Sequence, residues 1–187
     1  MRKKDDEKQK NIKEAVIKLI LEEGFHGTSI SKIAKKAGVS PATVYVYYEN
    51  KEIMLHKIYQ EYSEEIYSHL LSKIYEGISG RELIEVFIRS YYNYIEEHEE
   101  IFRFVDQFSS CPALANRCKK DKGSEALKQS LEQMKEKKII KNFHSDNLTA
   151  IIFSPIKSIA INPCLEEEEK IKMLEEMISI IQYTLLL

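Results

Sequence analysis

Apolar residues recur at three- and four-residue spacing along almost the whole chain, and the two-residue alternation of half-buried strands is nearly absent. The pattern predicts an all-α protein. A first helix is expected from about Lys8 to Glu23, with Ile12, Ala15, Val16, Leu19 and Ile20 on one stripe and Gly24 ending it. Ser29 is placed to cap a second helix running to Ala37, with Ile30, Ile33 and Ala34 inward, and Gly38 stops it. Ser40 and Pro41 open a short third helix that ends near Tyr48. Asn50 caps a fourth, expected to reach about Tyr75. Gly77 and Gly80 mark a break. Further helices are expected at 81–97, 99–109, 113–138, 145–161 and 166–186, with an interruption near Gly123. Pro155 should kink its helix, because its ring removes a backbone donor.

Residues 28–53 read TSISKIAKKAGVSPATVYVYYENKEI. Two short helices joined by the tight turn Ala37-Gly38-Val39-Ser40 form a helix-turn-helix, with Gly38 supplying the left-handed backbone. In the second helix Val44 and Tyr48 face inward. The other face carries Ala42, Thr43, Tyr45 and Tyr47: small residues and hydroxyls, with no acid among them. Such a face can approach phosphates and base edges, and Lys51 stands just beyond it, where a charge can meet a phosphate.

These residues resemble the N-terminal domain of the TetR (tetracycline repressor) family of bacterial regulators. The resemblance rests on Thr28, Ser29, Ile33, Ala34, Ala37, Gly38, Val39, Ser40, Thr43, Tyr45, Tyr47, Tyr48, Asn50, Lys51 and Glu52, over roughly residues 8–55. It implies a three-helix DNA-binding domain at 1–50 and a helical effector-binding and dimerisation domain at 51–187. It also implies roles. Thr28 would touch phosphate at the start of the second helix. Ser40, Pro41, Ala42 and Thr43 would sit near base edges in the major groove. Tyr45 and Tyr47 would bond phosphates, and Lys51 would add a charge contact. Val46 departs from the aromatic or polar residue usual there.

Composition sharpens this only a little. The 187 residues carry a formal net charge of −2, which gives no hint of nucleic acid. The distribution says more: residues 1–55 hold eleven Lys/Arg against eight Asp/Glu, and the remainder 17 against 22. A basic head on an acidic body suits a protein that meets phosphate at one end. Arg2, Lys3 and Lys4 are either an arm for the DNA backbone or a solvated terminus. The charged start MRKKDDEKQK leads us to expect no secretory leader, and no apolar run approaches bilayer length, so a cytoplasmic protein without a membrane partner is expected.

One short recognition helix reads few base pairs, so a homodimer offering two half-sites on double-stranded operator DNA is expected. Ile151, Ile152, Ile156 and Ile159, then Leu174, Ile178, Ile181 and Leu185, form the stripes assigned to its interface. Met177 and Ile180 widen the second stripe. Family resemblance implies that these helices pair with their copies as a four-helix bundle. The alternative is that both stripes pack inside one chain. Among the many aromatics, Phe87, Tyr91, Tyr94, Phe104 and Phe108 are the candidates for lining an effector cavity, though helical spacing is equally that of a core. The effector itself is unknown; few charges interrupt these stripes, which favours an apolar one.

The five histidines are scattered, and there is no HExxH, CxxC, Gly-rich phosphate loop or Ser-His-Asp grouping. Neither enzymatic activity nor a metal or other cofactor is expected. Cys111 and Cys118 are either reactive thiols or inert ones, and an odd total of three cysteines argues against a disulfide scaffold. The function expected is a ligand-released repressor. Two alternatives stay open: a regulator steered by a protein partner, and a small helical enzyme or carrier with a vestigial motif.

Overall fold

The computed structural model describes residues 2–109 and 122–187, with side chains from Asp5 onward. Cys111, Cys118 and the side chains of Arg2, Lys3 and Lys4 lie outside what is described. The helices are α1 (Arg2–Gly27), α2 (Ile30–Lys36), α3 (Pro41–Tyr47), α4 (Lys51–Leu71), α5 (Gly80–Glu97), α6 (Glu99–Ser109), α7 (Lys122–Glu136), α8 (Ser145–Ala160) and α9 (Glu167–Leu185). Among the described residues there is no strand; Ile140 and Leu186 form an isolated antiparallel bridge. The all-α expectation holds.

The described chain forms two compact units. One runs to Tyr62 and includes 100–109; the other holds Ser63–Glu99 and the described residues from Lys122 on. In the first, α1 buries Ile12, Ala15, Val16, Leu19 and Ile20, the stripe that the spacing predicts. Against it α2 contributes Ile33 and Ala34, α3 contributes Val44, and α4 contributes Met54, Leu55 and Ile58. α1 starts earlier than expected and bends at Gly24, whose φ of 71° suits a residue without Cβ.

In the second unit α5 packs on α8 and α9, and α7 on α8. Leu83, Ile84, Phe87, Ile88, Leu148, Ile152, Ile156, Leu174 and Ile178 form its core. Arg89 on α5 ties to α9 by two bonds to Glu175, of 2.7 and 2.8 Å, and reaches Glu85 at 2.9 Å. α4 stops at Leu71, short of Tyr75. Ser72 Oγ donates to the His69 carbonyl at 2.7 Å, and Gly77 turns with φ 86°. Pro155 sits inside α8 without ending it.

Candidate nucleic-acid interface

Local chemistry sets the helix-turn-helix. Lys32 N donates to Ser29 Oγ at 3.3 Å, capping α2. At the other end Gly38 takes φ 66°, while its N–H reaches Lys35 O (3.3 Å) and that of Val39 reaches Ala34 O (3.0 Å). This pair of bonds is the Schellman arrangement that satisfies the last carbonyls of a helix. Three residues on, Thr43 N donates to Ser40 Oγ at 3.1 Å, with Pro41 at the first helical position of α3. Asn50 Oδ1 then accepts from Ile53 N at 2.8 Å to open α4. These are the caps expected at Ser29, Ser40 and Asn50.

α3 has only seven residues, too few to persist alone. Buried Val44 and Tyr48 pin it to the core, and burial pushes the Tyr48 phenol up. Ser40, Pro41 and Ala42 are exposed, and Thr43 is half-buried, its hydroxyl 2.9 Å from that of Ser40. Tyr45 is 56% exposed and Val46 79%. The outward surface of α3 is therefore hydroxyl-bearing and apolar, with no carboxylate of its own.

Three expected contact residues are engaged otherwise. Thr28 is 2% exposed, and its hydroxyl donates to Gly24 O at 2.9 Å. Lys51 Nζ donates to Phe25 O and Thr28 O, both at 3.0 Å, with its ammonium 4.2 Å from the Phe25 ring centroid. The break at Gly24 leaves α1's final carbonyls without helical partners, and Lys51 and Thr28 satisfy them. Their side chains thus serve the turn: the Thr28 hydroxyl is buried, and two of the three Lys51 ammonium protons are engaged. Tyr47 donates its hydroxyl proton to Asp5 of α1, a bond that raises its pKa. Sequence reading missed Asp5, and a separation of 42 residues carries no periodic signal. Lys32 and Lys36 of α2 pair with Glu23 and Glu22 of α1, so part of the basic head is neutralised locally.

The family model described as "Bacterial regulatory proteins, tetR family" matches residues 12–58, the segment that builds this interface. A TetR family transcription regulator from Marinobacter aquaeolei VT8 superimposes with a TM-score of 0.76 at 26% identity, covering 96% of this chain and 97% of that one. Over residues 12–58 the chain is thus similar to the TetR family of bacterial regulators. A relative from Bacillus subtilis (strain 168), the "Fatty acid metabolism regulator protein", is 31% identical over 86 residues, 46% of this chain and 44% of its own length. The chain therefore aligns with less than half the length of that curated relative. FadR from Bacillus subtilis in complex with stearoyl-CoA shares the fold, with a TM-score of 0.72 at 21% identity, covering 91% of this chain and 96% of that one.

The aromatic candidates for an effector site separate between the two units. In the second, Phe87 and Tyr91 meet around Phe153, with ring centroids at 6.3 and 4.9 Å. Tyr94 lies between His69 and His98, at 5.4 and 4.6 Å. Burial lowers the His69 pKa. Phe104 and Phe108 belong to the first unit, where Phe108 stacks on Tyr59 at 4.4 Å. A cleft of about 200 Å³ in the second unit is lined by Ile74, Ile78, Leu83, Met134 and Ile139 among others, and by none of the five.

The expected dimer residues need a correction. Ile152, Ile156, Ile159, Leu174, Ile178, Ile181 and Leu185 are buried within the chain itself; of the eight, only Ile151 is exposed. α8 and α9 pack on each other and on α5, and that packing consumes both stripes. Besides Ile171 near its start, α9 leaves open a second arc, Met173, Ile180 and Tyr183, with half-buried Met177 between them. At about 100° per residue it lies roughly a third of a turn from the buried one. The signal was present in the sequence: the apolar residues of α9 span more than one face.

Proposed function

We propose that this chain is a homodimeric transcriptional repressor that binds double-stranded operator DNA and leaves it when a small, mainly apolar effector binds. In this reading residues 1–50 carry DNA binding and 51–187 carry effector binding and dimerisation. The observation behind it is the outward face of α3, where exposed Tyr45 and Val46 stand beside the Ser40 and Thr43 hydroxyls on a helix that two buried anchors hold rigid. A duplex supplies partners that this face can use: phosphate oxygens that accept from Tyr45 and Tyr47, base edges for the Ser40 and Thr43 hydroxyls, close approach at Pro41 and Ala42, and a thymine methyl against Val46. Lys51 and Thr28 hold the turn in place beneath them.

Two half-sites require two copies. Ile151, Met173, Ile180 and Tyr183 are exposed apolar residues on α8 and α9 that a second chain could cover. For the effector, the name of the Bacillus subtilis relative and the stearoyl-CoA held by its FadR structural counterpart support an acyl chain. The rings of Phe87, Tyr91 and Tyr94 in the second unit suit its apolar body. Effector release then follows if the acylated state favours a conformation of lower DNA affinity, by as much as the ligand's differential affinity for the two states.

The test is direct. Duplexes are selected from a random pool with the full chain and titrated by fluorescence anisotropy. Tyr45→Ala is expected to weaken binding about tenfold, the worth of a hydrogen bond to a charged group, without lowering the melting temperature of an exposed site. Unchanged affinity would sink the α3 assignment. Stearoyl-CoA at about 100 times its Kd should stabilise the chain by about 2.7 kcal/mol, read as a raised melting temperature, and should release the duplex.

A further inference from the structure

We infer that the Asp5 carboxylate is a built-in competitor for DNA phosphate at the recognition helix, holding the chain's affinity for any duplex below what α3 alone would give. The inference rests on the reading above, in which Tyr47 meets a phosphate.

A phenol has one proton to donate. Tyr47 donates its one hydrogen bond to Asp5 Oδ1, with the backbone oxygen of Asp5 a further 3.4 Å contact. Asp5 does not depend on Tyr47 for its position. It lies in the first turn of α1, where the helix N-terminus favours a carboxylate. Asp6 stands next to it and adds to the negative field at the phenol. Tyr47, a phenol whose ordinary pKa of 10.0 is raised further here, is a donor at neutral pH. The outward face of α3 contains no acid, but its rim does, contributed by another helix.

A phosphate oxygen that arrives at Tyr47 must displace Asp5 as the acceptor of this hydrogen bond. The carboxylate then turns to water, and two negative groups are left side by side. Both effects oppose binding. Neither depends on base sequence, because every nucleotide step presents the same phosphate. Asp5 is thereby a brake on sequence-independent attraction, the component that the basic head of the chain would otherwise supply.

The experiment uses the full chain and a fluorescein-labelled, random-sequence duplex of about 30 base pairs, long enough for two half-sites, titrated at fixed salt. Asp5→Asn, which removes the charge and leaves Tyr47 only a neutral, weaker acceptor, is expected to tighten binding about threefold to tenfold. Asp6→Asn removes the same charge without touching the Tyr47 bond, and is expected to change Kd less than about twofold. In a Tyr47→Phe background the gain from Asp5→Asn should vanish, since a double-mutant cycle isolates the pair. Equal gains from Asp5→Asn and Asp6→Asn, or a gain that survives Tyr47→Phe, would reduce the effect to net charge and overturn the inference. Weaker binding by Asp5→Asn would make Asp5 a positioning residue and overturn it as well. Tyr47→Phe without effect in either background would remove Tyr47 from the DNA contact, which sinks the underlying reading and the inference together.

Discussion

Helices α3 and α9 both offer solvent side chains that suit a partner, and they reach that condition by opposite means. α3 is seven residues long and owes its place to others: the Ser40 cap, the Gly38 turn and the two anchors Val44 and Tyr48. Nearly all its remaining surface faces outward. α9 has 19 residues and is amphipathic twice over. One arc, Leu174, Ile178, Ile181 and Leu185, closes the core of its own unit; the other, Met173, Ile180 and Tyr183, remains open. A short helix makes a recognition surface because its position is imposed from both ends. A long helix makes one because a single apolar arc is enough to hold it, leaving a second arc for other use.

The largest test of this contrast is within α9. Ile178→Ala, 5% exposed, should cost about 2–5 kcal/mol in urea unfolding. Ile180→Ala, 48% exposed, should stay within about 0.5 kcal/mol for the isolated chain while shifting the monomer–dimer balance in sedimentation. Similar costs at both positions would erase the distinction between the two arcs. Next comes the turn that aims α3. A Cβ at Gly38 meets nothing within 4 Å, so Gly38→Ala isolates the cost of φ 66°. About 1 kcal/mol or more is expected, from thermal unfolding, because an L-residue is strained there. Ser40→Ala removes the α3 cap and should cost about 1 kcal/mol, with a parallel loss of duplex affinity if α3 depends on its ends as argued.

The smallest effect concerns the tie between α5 and α9. Arg89 holds the Glu175 carboxyl below its ordinary 4.5. A carboxylate with a depressed folded-state pKa adds stability above the unfolded value, and that contribution is lost as the pH falls from about 4.5 through the folded value. The melting temperature should therefore fall more steeply with acidification in the native chain than in Glu175→Gln. Both side chains are substantially exposed, 39% and 50%, so solvent screening keeps the difference small. Identical slopes would show that the pair contributes nothing across that interface.

Much of the interface could be read in advance. The Ser29, Ser40 and Asn50 caps, the Gly38 turn and buried Val44 and Tyr48 all stand where the residue order places them. Each depends on hydrogen bonds or φ preferences that act within about four residues. What escaped prediction was non-local. Asp5 bonds Tyr47 across 42 residues, and Lys51 Nζ closes on a carbonyl 26 residues back. Helical spacing places Lys51 near the DNA side but says nothing of a helix end nearby whose carbonyls lack partners. Phe153, His69 and His98, the neighbours of the predicted aromatics, were invisible for the same reason: ring contacts between helices leave no period in either one.

The order of residues alone determined that this chain folds into helices, where the recognition helix begins and ends, and that its outward positions bear hydroxyls and no acid, because those properties are settled by neighbours along the backbone. Only the assembled structure decided which apolar residues of α8 and α9 are spent inside, which cation is drawn into a turn, and which carboxylate from a distant helix borders the outward surface of α3. Burial and pairing are properties of elements that converge in space, and one amphipathic stripe cannot say which partner will cover it.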